Sequence, residues 1–241
     1  YILGKIKLYH DDDVNKIGVF RLLLAIISFS FAVVIFPGMF GAPLSWLSGY
    51  LPDTVTQEFD ITQEFDEIES RDSGAYDDFP LDSIKYKNVK NVHTPLGLKG
   101  FYDYHQALDY ARETNKPLFL DFTGVVCENC RHMEKKVWIK DYIKKMLRDE
   151  FVIANLYCDV NHKLNKEDWI YDENGNTIKT IRAKNSYIQK EYGKKGLPLY
   201  IIVNADELMS SSAHILSGPI GYCGEDEFFQ FLKDGLDSFR K

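Results

Sequence analysis

Residues 117–134 read PLFLDFTGVVCENCRHME, and this stretch decides the fold. Its first seven residues are apolar but for Asp121 and Thr123, the pattern of a short strand buried on both faces. Gly124 interrupts the run. Cys127-Glu128-Asn129-Cys130 then opens a helical pattern. A cysteine at the start of a helix lies beside unpaired N–H groups and the positive end of the helix dipole, which favour its thiolate. A second cysteine one turn later can attack a mixed disulfide and release the partner. A bare C-x-x-C is also half of a zinc site. However, the sequence has no second such pair, and Cys158, Cys223 and the six histidines show no metal-ligand spacing. The residues therefore point to thiol–disulfide exchange with no metal and no bound cofactor.

Outward from this stretch, residues 100–241 alternate helical and strand patterns. Helical spacing at 101–114 precedes the strand at 117–123. A helical segment at 130–147, broken near Lys140, leads to a second strand at 151–159. A polar insertion at 161–179 carries the turn signal DENG (172–175), and a helical stretch follows at 186–192. A strand at 199–204, another near 214–216 and an amphipathic helix at 225–239 complete the order. Strands interleaved with helices in this way predict an α/β layer architecture. Cys158, ending a strand pattern, and Cys223, in the turn GYCGED, read as structural thiols, with a disulfide between them left open.

The N-terminal part differs. Residues 19–39, VFRLLLAIISFSFAVVIFPGM, form an apolar run interrupted only by Arg21 near its start and Pro37 near its end, long enough for a helix across a bilayer core. Lys5, Lys7, Lys16 and Arg21 precede or open the run, and no Lys or Arg follows until Arg71. The positive-inside rule then places residues 1–18 on the cytoplasmic side and everything after Pro37 outside. Trp46 and Tyr50 suit the outer interface. Residues 40–99 read as this interface segment followed by an acidic tether with little fixed structure, which contains the duplication TQEFDI, TQEFDEI. With no initiator Met and no signal peptide at Tyr1, the chain reads as a fragment or a processed product. The net charge of −7 over 241 residues argues against nucleic acid as a partner, because phosphate binding needs a basic face.

The stretch at 117–134 resembles the active-site region of thioredoxin-fold proteins. It is most similar to the C-terminal periplasmic domain of the thiol:disulfide interchange protein DsbD family. KIGVFRLLLAIISFSFAVVIFPGMFGAPL likewise resembles that family's last membrane helix, so both features occur in the family's order. The resemblance implies a thioredoxin-like fold preceded by one transmembrane helix and an acidic tether, in a bacterial inner membrane with the C-terminal domain in the periplasm. It implies that Cys127 attacks and Cys130 resolves. Asp121 matches the buried carboxylate that takes a proton from the resolving thiol, and Glu134 a second acid near the pair. Pro198, in GKKGLPLY, matches the cis-proline facing the cysteines, and Leu197 before it would touch the partner protein. The implied partners are periplasmic protein disulfides and an electron-donating membrane domain with its own cysteine pair. Cytochrome maturation factors and disulfide isomerases are the implied targets.

One departure is Val126, where many relatives carry Trp before the first cysteine. Glu128 disfavours a thiolate at the pair while Arg131 and His132 partly offset it, a balance that favours a protein-disulfide reductase. An oxidase or isomerase of the same fold, and a non-catalytic binding module, remain as alternative readings.

Overall fold

The computed structural model describes residues 19–36, 79–207 and 214–241. The chain forms two units, Tyr1–Phe65 and Asp66–Lys241. Within the first, helix α1 (Val19–Ile35) has 17 residues. At 1.5 Å rise per residue it is about 26 Å long, short of the roughly 30 Å bilayer core. Among the described residues no helix is long and apolar enough to cross a membrane. The end of the expected span, residues 37–39, lies outside them, as do the expected cytoplasmic-side segment 1–18, the interface aromatics Trp46 and Tyr50 and the duplicated acidic motif.

The second unit follows the α/β order that the sequence predicts. Helix α2 (Tyr104–Thr114) starts three residues later than its spacing suggests. Asp103 sets that start, because its carboxylate accepts the Gln106 backbone N–H at 3.1 Å. Strand β1 (Leu118–Thr123) leads through a loop to α3 (Glu128–Met133). The helix then widens into a π turn over Glu134–Trp138 and breaks at Lys140 before α4 (Asp141–Glu150). Strand β2 (Val152–Tyr157) follows. The insertion folds into a small hairpin, β3 (Ile170–Tyr171) and β4 (Thr177–Ile178). Its tip is the DENG turn, where Asp172 accepts N–H groups from Asn174 and Asn176. Helix α5 (Ile181–Glu191), capped by Thr180, begins five residues before the expected stretch. Strands β5 (Leu199–Val203) and β6 (Ile215–Ile220) and helix α6 (Glu225–Phe239) complete the unit.

The main sheet runs β2-β1-β5-β6. Strand β1 pairs in parallel with β2 and antiparallel with β5. All six residues of β1 are buried, as a central strand covered on both faces must be. Its alternating side chains divide the core. Leu118, Leu120 and Phe122 join Val152, Ala154, Leu156 and residues of α2 and α5 on one face. Phe119 joins Ile153, Tyr200, Trp138, Phe228 and Leu232 on the other. By the same period of two, Asp121 and Thr123 point to the face covered by α3, the π turn and α6.

Residues 79–99 correct the expectation of a tether with little fixed structure. Ile84, Val92 and Leu98 are buried in the folded unit. Phe79 packs on Phe101 and Tyr110. Lys85 and Tyr86 each bond the buried carboxylate of Asp168 at 2.5 Å, which ties this strap to the insertion. Apolar side chains spread thinly through a polar stretch show no periodicity, so composition alone misses them.

Candidate active site

Strand β1 ends at Thr123, and four residues later Cys127 caps α3. The Cys127 N–H donates to the Gly124 carbonyl at 3.3 Å, and the Cys127 sulfur accepts the Cys130 N–H at 3.2 Å. The helix start thus directs an otherwise unpaired donor at the first sulfur. Cys127 and Cys130 form a disulfide with an S–S distance of 2.03 Å. The two are not equivalent. Cys127 is half-buried, whereas Cys130 is buried and 1% exposed. Beside them Val126 is 87% exposed, an apolar side chain presented to solvent at the mouth of the site.

The loop is held from below. The Val126 N–H donates to Asp159 Oδ2 at 3.1 Å. A Cβ on Gly124 would lie 2.8 Å from that oxygen and 3.1 Å from Leu197 Cδ1, so only glycine lets the loop approach both. The Leu197–Pro198 peptide bond is cis, as expected from the resemblance. A second cis bond, Gly218–Pro219, had no sequence signal. Leu197 therefore reaches the loop that carries Cys127, while Pro198 is buried behind it.

Asp121 is 2% exposed and lies opposite Asn155 on β2 and Tyr200 on β5. The Asn155 amide donates to Asp121 Oδ2 at 2.9 Å. Burial pushes the Asp121 carboxyl up from 3.8 to about 7, against the opposing pull of the Asn155 hydrogen bond and the Arg131 charge. A carboxyl in that range exchanges a proton readily at neutral pH.

Glu134 is 7% exposed, placed inward by the π turn, and pairs with Arg131. Arg131 Nη2 lies 2.7 Å from Glu134 Oε1 and 3.1 Å from Thr123 Oγ1. Arg131, the residue after the pair, thus joins Glu134 to the end of β1. Of the expected residues, Cys127 and Cys130 are bonded at the start of α3, Glu134 pairs with Arg131, whose charge also acts on Asp121, and Leu197 lies at the loop, next to cis-Pro198. The structure adds Asn155, Arg131, Thr123 and Asp159. Asn155 and Asp159 carry no local signal in sequence, since only the register of β2 against β1 sets Asn155 beside Asp121.

The other two cysteines are free thiols. Burial pushes the Cys158 thiol up to about 12, with a smaller opposing effect of a Ser186 hydrogen bond. Among the described residues no group of three or more His, Cys, Asp or Glu side chains is arranged to hold a metal ion.

Residues 100–205 match a protein family described as thioredoxin-like. Together with the sheet order, this makes the unit a thioredoxin-like α/β domain with a C-x-x-C pair at the start of its first helix after β1. The chain is also similar to the thiol:disulfide interchange protein DsbD of two Campylobacter jejuni strains, with 32% identity over 134 residues, or 54% of this chain and 21% of the relative. It spans about a fifth of the length of these curated relatives. Among solved structures, a DsbH oxidoreductase is 19% identical with a TM-score of 0.41, covering 61% of this chain and 91% of that one. The oxidised C-terminal domain of Neisseria meningitidis DsbD is 17% identical with a TM-score of 0.37, covering 57% and 99%.

Proposed function

We propose that this chain is a membrane-anchored protein-disulfide reductase that passes electrons through Cys127 and Cys130 to protein disulfides in the periplasm. One observation carries the reading. A half-buried cysteine caps a helix, disulfide-bonded to a buried cysteine one turn on, over the sheet face that holds a buried carboxyl poised near neutrality.

In the reduced chain the Cys127 thiolate attacks a target disulfide. One target sulfur leaves as thiolate and a mixed disulfide forms. Cys130 gives its proton to the Asp121 carboxylate, and the resulting thiolate attacks the Cys127 sulfur. The second target sulfur leaves, two electrons have passed to the target, and the Cys127–Cys130 disulfide remains. Leu197 and the backbone beside cis-Pro198 receive the target chain, and Glu134, through Arg131, tunes the charge around the pair. No bound cofactor enters the exchange.

A membrane domain with its own cysteine pair then returns the two electrons, as the likeness to DsbD suggests. Helix α1 and the residues that follow it would form the membrane anchor, with the basic N-terminal side in the cytoplasm. Cytochrome maturation factors and disulfide isomerases are the target classes to test.

The deciding measurement is the reduction potential of the pair, equilibrated against glutathione or dithiothreitol buffers. A value of roughly −200 to −270 mV, between glutaredoxins and thioredoxin, is expected. A value near about −120 mV, like DsbA, would make the domain a disulfide donor instead. Cys127→Ser should abolish transfer to targets; a variant that keeps full function would mean a non-catalytic binding module.

A further inference from the structure

A hydrogen-bond chain leads away from Asp121 to the strap. Asn155, 1% exposed, donates its amide N–H to Asp121 Oδ2 at 2.9 Å. Its amide oxygen accepts from Thr94 Oγ1 at 2.8 Å. The Tyr102 hydroxyl lies 3.4 Å from the same Thr94 oxygen. Thr94 belongs to the strap, Asn155 to β2 and Asp121 to β1, so the chain crosses from the domain's N-terminal side to its central strand.

In the observed arrangement the direction of each bond follows from the amide. An amide oxygen can only accept, so the Thr94 hydroxyl must donate to it. With the amide oxygen on Thr94, the NH2 group faces Asp121. An N–H donor facing a carboxyl favours the ionised form, whereas an amide oxygen there would demand the protonated form. Rotating the Asn155 amide by half a turn would set its NH2 against the Thr94 hydroxyl and its oxygen against Asp121. There Thr94 would accept in place of donating and Asp121 would have to be protonated, so the observed arrangement is the one that suits the ionised carboxylate. Gly100 lets the two side chains meet closely, since a Cβ there would lie 2.7 Å from Thr94 Oγ1 and 2.9 Å from Asn155 Oδ1.

We propose that Thr94 is a positioning residue for the exchange, its hydroxyl locking Asn155 in the sense that keeps Asp121 ready to accept the Cys130 proton. The proposal rests on the reading of Asp121 as that acceptor. Other groups also act on Asp121: Arg131, paired to Glu134, lowers its proton affinity, while Tyr157, Tyr200 and Cys158 lie close enough to interact with it electrostatically. None of them bonds the Asn155 amide, so the Thr94 effect is separable from theirs.

The test follows the second half-reaction in the full chain. Reduced protein is mixed with oxidised glutathione in excess, so that resolution by Cys130 limits, and glutathione release is timed from pH 5 to pH 9. In the native chain the rate should rise with a midpoint near the Asp121 value. Thr94→Val should move the midpoint up by about half to one pH unit, the scale of one neutral hydrogen bond, with the high-pH plateau retained. Thr94→Ser, which restores the donor, should return it. Thr94→Ala, with no added methyl, serves the same comparison if Thr94→Val does not fold. An unchanged midpoint in the hydroxyl-free variants, or equal shifts in Thr94→Ser and Thr94→Val, overturns the proposal. Asp121→Asn separates the two readings: loss of the inflection supports Asp121 as acceptor, and an inflection that survives overturns that role and the Thr94 proposal with it.

Discussion

Asp121 shows how a functional group lowers stability. Its folded-state pKa is raised from 3.8 to about 7 by burial, so folding is favoured while the group is protonated. That contribution is fully present below pH 3.8 and is lost as pH rises through about 7. At roughly 1.4 kcal/mol per pH unit the gap corresponds to on the order of 4 kcal/mol. Asp121→Asn should therefore gain stability over the native chain by that order between pH 4 and pH 8.5, read by urea unfolding of the oxidised forms, while resolving mixed disulfides poorly. Cys158 makes a second case. With its thiol pushed up to about 12, only about one molecule in ten thousand carries the thiolate at pH 8. Iodoacetamide should label Cys127 of the reduced chain and spare Cys158, as peptide mapping would show. The cysteine pair is readable from local motif and helix position, whereas Asp121, Glu134 and Pro198 are singled out only by the family resemblance. Asn155 and Thr94 are not readable, because they meet Asp121 only through strand register and a fold-back of the strap.

Helix α6 matches its expected span because amphipathic spacing and the acidic first turn define both ends. The segment around Glu134 was legible only as helix, since a π turn leaves the hydrophobic pattern nearly intact while re-aiming a side chain. Helices α2 and α5 are joined by an ion pair that no periodicity reveals. Lys184 Nζ lies 2.6 Å from Asp103 Oδ2, with side chains 3% and 2% exposed. Removing one partner leaves a buried charge without its counter-ion. Lys184→Met should cost about 3 kcal/mol or more in urea unfolding. The double variant Asp103→Asn/Lys184→Met should recover much of that, leaving the weaker Asn cap on α2.

Across the folded unit, the sequence reading drew the domain boundary at residue 100, where the helical and strand patterns begin. The strap shows that the folded body already includes residue 79, because Phe79 packs on Phe101 and Ile84, Val92 and Leu98 are buried in it. Each buried aliphatic side chain contributes roughly 1.5–3 kcal/mol. A fragment of residues 100–241 should therefore melt well below one of residues 79–241 by circular dichroism, by about 10 °C or more. The strap also divides mechanical load. Chain arriving at residue 79 meets the Asp168 clamp, gripped by Lys85 and Tyr86, before it reaches Thr94 eight residues later. Tension drawn along the polypeptide is carried sideways into the insertion hairpin at that clamp. Thr94 and the Asn155–Asp121 pair it bonds lie behind that anchorage, like a connector behind the clamp on its cable.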